Sequence, residues 1–88
     1  MGGDHDPGGA IGTVSHYFGH LSVAAVTLSG QLAVGQRIHI RGHTTDLEQV
    51  VDSMQVDHAA VTAAGPGYDV AIRVDAHVRE GDLIFLEG

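Results

Sequence analysis

Short runs in which apolar and polar residues alternate recur along the chain, separated by turn-forming residues. The clearest is Arg37-Ile38-His39-Ile40-Arg41, where the period of two puts isoleucines on one face and cationic or titratable side chains on the other. The same alternation runs from Tyr68 to Val74, with Val70, Ile72 and Val74 on the core face and Asp69, Ala71, Arg73 and Asp75 outside. Ile11 to Tyr17 gives a first strand, with Gly12 and Val14 on one face and Ile11, Thr13 and Ser15 on the other. His20 to Ser29 gives a second, with Val26 and Leu28 pointing one way. Gln36 to Arg41 is the third, Leu47 to Asp57 the fourth, and Leu83 to Leu86 the last. The fourth is long enough to need a bulge, placed where the doubled apolar pair Val50-Val51 breaks the period. Leu47, Val50, Val51 and Met54 also fall at helical spacing, but the β-branched residues and Ser53 favour a pleated surface.

Gly30 to Gly35, Pro66-Gly67 and the run Val78 to Asp82 read as turns, and His58 to Ala64 as a loop of small residues. Six short strands with turns every ~8–12 residues predict a sandwich or barrel, and closing a barrel removes its exposed edges. Residues 1–9 hold four glycines, a proline and the run DHD, which includes His5, and are expected to form a flexible tail. Residues 10–88 are then one domain, too small for a second core. Aromatic residues are scarce, so the core is assigned to Val, Ile, Leu and Ala.

Cysteine is absent, which removes disulfides, thiolate nucleophiles and cysteine-ligated zinc, and fits a reducing cytoplasm. The N-terminus has no basic segment followed by an apolar one, and no apolar run approaches the ~18–20 residues needed to cross a bilayer. The expectation is a soluble cytoplasmic protein without membrane contact. The net charge is −7, from 11 acidic residues against 4 arginines. That balance disfavours broad binding to a polyanion, while leaving room for a local basic patch acting within a Debye length.

With the strands laid out, SVAAVTLSGQLAVGQRIHIRG resembles the hairpin of the second domain of translational GTPases of the elongation factor Tu type. SMQV, AAGPGYDVAIRV and VREGDLIF resemble later segments of that domain. IGTVSHYFGHLSVAAVTL and IRGHTTDLEQVVDSMQV are similar to segments of small stand-alone translation elongation factor-like proteins and of the C-terminal barrel of collagenase-like peptidases. The resemblance covers roughly Ile11 to Leu86 and implies an all-β, six-stranded Greek-key β-barrel of the translation-factor domain 2 type. No G-x-x-x-x-G-K-[ST] motif occurs, so GTP binding by that route is excluded. In elongation factor Tu the second domain helps hold the acceptor end of tRNA, and the corresponding loop here is Tyr17-Phe18-Gly19-His20, without arginine.

Arg37, His39 and Arg41 form a stripe with about 7 Å between successive members. It suits a phosphate or an acidic partner surface, or else a solvated barrel face whose arginines pair with neighbouring carboxylates. His43 is a candidate contact residue in the HTTD turn, where Asp46 reads as a turn former. Tyr17 and Phe18, beside His20, suit stacking on a base or filling a partner's pocket, with one aromatic expected in and one out. No run of residues supplies three or four converging ligands, so neither metal nor cofactor is assigned; a metal- or small-ligand-binding barrel using His39 and His43 is the third reading. No serine or carboxylate pair has the setting of a catalytic group, so a non-enzymatic role is expected. The leading expectation is a binding module that docks on tRNA, another RNA or a protein partner in translation or RNA maturation. Its alternative is an accessory protein–protein subunit of a peptidase-like or RNA-modifying enzyme, without RNA contact.

Overall fold

The computed structural model describes residues 9–87; apart from Gly9, the expected tail lies outside the described residues. Ten strands follow one another: β1 (Gly12–Phe18), β2 (Val23–Leu28), β3 (Leu32–Ala33), β4 (Arg37–Arg41) and β5 (Asp46–Val50), then β6 (Met54–Val56), β7 (Ala59–Ala60), β8 (Ala63–Ala64), β9 (Asp69–Arg73) and β10 (Leu83–Leu86). Eight of them build one sheet in the order β5-β4-β10-β1-β2-β9-β6-β7, while β3 and β8 form a separate two-stranded ribbon. All pairings are antiparallel. Among the described residues there is no helix.

The sheet curls because one stretch of chain serves both of its ends. β5 pairs with β4 at one edge, and β6, only residues 51–53 farther on, pairs with β9 towards the other. The expected fourth strand is therefore present as two halves that close a barrel-like sheet. β5 keeps its register through Val50, and in place of the bulge expected at Val50-Val51 the irregular residues 51–53 separate the two halves. The reason is Gln49, a polar side chain that faces inward and is buried. The inward set is Leu47, Gln49 and Val51, still in period, and the break comes only before buried Met54.

A second irregularity re-aims the end of β1. Val14 pairs with Val26 but His16 pairs with Ala25, so Ser15 is an extra residue on its strand. The inward parity changes there, from Gly12 and Val14 to Tyr17. That switch turns Tyr17 towards the core and leaves Phe18 outside, 38% exposed.

The stretch His58 to Ala64, expected as a loop, holds β7 and β8. Val56 pairs with Ala59, and the two residues between them, Asp57 and His58, have φ of 52° and 66°. Two consecutive positive φ values make a type I′ hairpin turn, here without glycine. Asp and His are among the residues that tolerate this region best.

The core is aliphatic as expected, with Met54 added: Val26, Ile38, Ile40, Ile72, Val78 and Ile84 are at most 1% exposed. Ile38 and Ile40 enter it from β4, which leaves Arg37, His39 and Arg41 on the outer face. No helix among the described residues is long and apolar enough to cross a membrane.

Candidate functional site: an imidazole among three carboxylates

Gly42 N donates to Thr45 O at 2.9 Å, so β4 and β5 are joined by the two-residue loop His43-Thr44. That loop fixes the register: Arg41 lies opposite Asp46 and His39 opposite Glu48. On the other side of β4, Phe85 of β10 lies opposite His39, and Glu87 N donates to Arg37 O at 2.9 Å. Three adjacent chain segments thus bring Asp46, Glu48 and Glu87 around His39.

The ring of His39 is only 18% exposed, and its two nitrogens face different groups. Nε2 contacts Asp46 Oδ1. Nδ1 lies 3.1 Å from Glu87 Oε2 and 3.8 Å from Glu48 Oε2. The pKa of His39 is raised above the ordinary imidazole value, chiefly by the hydrogen bond with Asp46 and further by the charges of Asp46 and Glu48 and the bond with Glu87, against partial desolvation. Asp46 is correspondingly lowered, first by its bond to His39, with Arg41 adding a favourable charge. Asp46, expected to form the turn, instead spends its carboxylate on this cross-strand contact.

One His39 nitrogen and one oxygen each from Glu48 and Glu87 lie within 4.8 Å of one another. This arrangement can hold a proton or a cation. The stripe read from the sequence is therefore electrostatically mixed: Arg37 and Arg41 are exposed on the same face as the carboxylates. Neither arginine makes an ion pair among the described residues, whereas Arg73 bonds both Asp52 and Asp75.

The remaining candidates stand apart. His43 is exposed in its two-residue loop, and His20 is exposed in the turn between β1 and β2. Tyr17 packs on the core with its ring 4.6 Å from that of His77, and Phe18 lies 4.5 Å from the ring of His16. β10 separates their strand from β4, and no hydrogen bond or ring contact among the described residues joins the two groups. Glu48 and Glu87 escaped the sequence reading. Glu48 was accessible in principle, since a two-residue loop at His43-Thr44 pairs it with His39 by counting. Glu87 required the β4–β10 pairing, which no local pattern announces.

A second surface feature is a groove of 410 Å³ lined by Val56, Val61, Ala63, Ala64 and Tyr68, the last 55% exposed.

No protein-family model matches the chain. It is 40% identical over 77 residues to an uncharacterized protease of Methanocaldococcus jannaschii, covering 86% of this chain and 19% of the protease. The chain therefore spans about a fifth of that relative. In structure it resembles the C-terminal domain of a Geobacillus thermoleovorans protein assigned to the U32 peptidases, with a TM-score of 0.84 at 19% identity over 91% of this chain and 92% of that domain. The selenomethionine variant of the same domain gives a TM-score of 0.81 at 18% identity, over 85% and 95% respectively. These likenesses support the peptidase-barrel part of the resemblance read from the sequence and lend none to its translation-factor part.

Proposed function

We propose that this barrel is a non-catalytic accessory module of a peptidase-like protein, acting by docking on a larger catalytic part, whether as a subunit or within one polypeptide. The observation that carries this reading is the match at 40% identity to a stretch making up 19% of an archaeal protease, which leaves most of that protein to other domains. A domain of this size with an aliphatic core can fold by itself and present its outer face to a neighbour. The groove beside Tyr68 is the apolar surface that suits an apolar segment of the catalytic part.

The test is co-purification of the chain with a peptidase-like protein from the same source, followed by light scattering on the eluted species. A stoichiometric complex that is lost in Tyr68→Asp, with the variant still folded, supports docking through the groove. Separate elution of two folded proteins would sink the reading. RNA docking through Arg37 and Arg41 is the rival. Salt-dependent binding of tRNA that disappears in the Arg37→Ala/Arg41→Ala variant would replace the peptidase reading with it.

A further inference from the structure

We propose that the outer face of the β5–β4–β10 strip binds one divalent transition-metal cation of the Zn²⁺ class, held by His39 Nδ1 and by the carboxylates of Glu48 and Glu87. Three features of the cluster lead there. The first is spacing. Two ligand atoms bound tetrahedrally to zinc at about 2.0–2.1 Å stand about 3.3 Å apart. The separations from Nδ1, 3.1 Å to Glu87 and 3.8 Å to Glu48, bracket that value before any adjustment of exposed glutamate side chains.

The second is the division of labour on the imidazole. Asp46 accepts from Nε2–H, so when an incoming cation displaces the proton from Nδ1 the ring keeps its Nε2–H and the freed Nδ1 lone pair faces Glu48 and Glu87. A carboxylate on the far nitrogen is how metal-bound histidines are ordinarily oriented and made more basic. Asp46 is thus a positioning residue, and His39, Glu48 and Glu87 are the ligands.

The third is unspent acceptor capacity. A single Nδ1–H can satisfy one carboxylate, and Glu87 is the nearer. Glu48 makes no hydrogen bond among the described residues, yet it points at the same nitrogen as a second like charge. A divalent cation between them removes that repulsion. The donor set of one imidazole and two carboxylates is borderline in hardness, which suits Zn²⁺ or Mn²⁺ better than Ca²⁺. Protein ligands fill three positions and water completes the shell. Because Glu48 lies on β5, His39 on β4 and Glu87 just beyond β10, the cation would tie the three neighbouring segments together across the barrel wall. This inference is independent of the docking role.

The experiment is calorimetric titration of the chelator-stripped chain with ZnCl₂ and with MnCl₂, paired with amide and imidazole NMR. The expected result is one equivalent of Zn²⁺ bound, with the largest shifts at His39, Glu48 and Glu87 and with Mn²⁺ broadening centred on the same residues. Glu48→Gln/Glu87→Gln weakens binding at least tenfold while its spectrum stays that of the folded barrel, and Asp46→Asn weakens it about 10–100-fold. His5→Ala, His16→Ala and His43→Ala bind as the parent does. Unaltered affinity in the double glutamine variant overturns the proposal. So does broadening centred on the His16–Glu80 pair, or the lack of any stoichiometric Zn²⁺ binding.

Discussion

Gln49 accepts the backbone N–H of Asp75 at 2.8 Å, using the oxygen of the same side-chain amide whose nitrogen donates to Arg73 O at 2.9 Å. A side chain here supplies both rungs of a ladder that backbone pairing does not reach, joining β5 to the end of β9 inside the barrel. Gln49→Ala removes the partner of the Asp75 N–H and of the Arg73 carbonyl at a partly buried seam. The expected cost is about 2–4 kcal/mol, read as a lower urea midpoint with unchanged slope. A loss below about 0.5 kcal/mol would mean that the seam closes without this amide.

Gly42, at the end of the β4 hairpin, lies against the buried carboxylate of Asp82. A methyl group on Gly42 would overlap Asp82 Oδ1. Asp82 has little freedom to move away, because its Oδ2 accepts from Arg79 N at 2.8 Å within the last turn. Gly42→Ala is expected to destabilise by at least about 2 kcal/mol, measured by denaturant unfolding, with Asp82→Ala partly relieving the clash in the double variant.

The Asp57-His58 turn carries two non-glycine residues at positive φ. His58→Gly removes the penalty of the left-handed region at one of them, at some entropic expense in the unfolded chain. The net expectation is a gain of about 0.5 kcal/mol, and of about 1 kcal/mol when combined with Asp57→Asn, corresponding to about 4–8 °C in Tm at this size. A lower Tm in the double variant would show that the original side chains make contacts worth more than the strain.

Asp52 is held below the ordinary carboxylate value, first by its hydrogen bond from Arg73 and then by the arginine's charge, against partial desolvation. A carboxylate lowered in the folded state contributes stability that is present at neutral pH. That contribution fades as pH falls below about 4, through the folded value. Asp52→Asn is therefore expected to lower the urea midpoint at pH 7 and to approach the parent as the pH falls through the folded value in strong acid. Both partners are half-exposed, so the effect is small. Equal differences at pH 7 and in strong acid would assign it to packing.

The candidate site divides along similar lines. His39, Arg37 and Arg41 were visible as one face because alternation is a local property of the chain. The meaning of that face was not visible, since Glu48 and Glu87 arrive from different strands. A stripe that looked basic in one dimension carries an imidazole enclosed by carboxylates in three. The wrong role for Asp46 has the same origin: a turn residue and a cross-strand partner look alike until the register is set.

What the sequence by itself determined is the set of faces, Ile38 and Ile40 inward and Val70 and Ile72 inward, and an all-β barrel-like class, whereas the six strands it suggested are ten. Those follow from period-two burial, which each strand satisfies with its own residues. What only the tertiary structure decided is where two strands break step and which strands become neighbours. The Ser15 bulge sends Tyr17 inward, inward Gln49 keeps β5 in period and moves the break to residues 51–53, and β10 settles between β1 and β4. Such choices rest on closing the sheet with its polar groups satisfied, a condition on the whole barrel that no single strand carries.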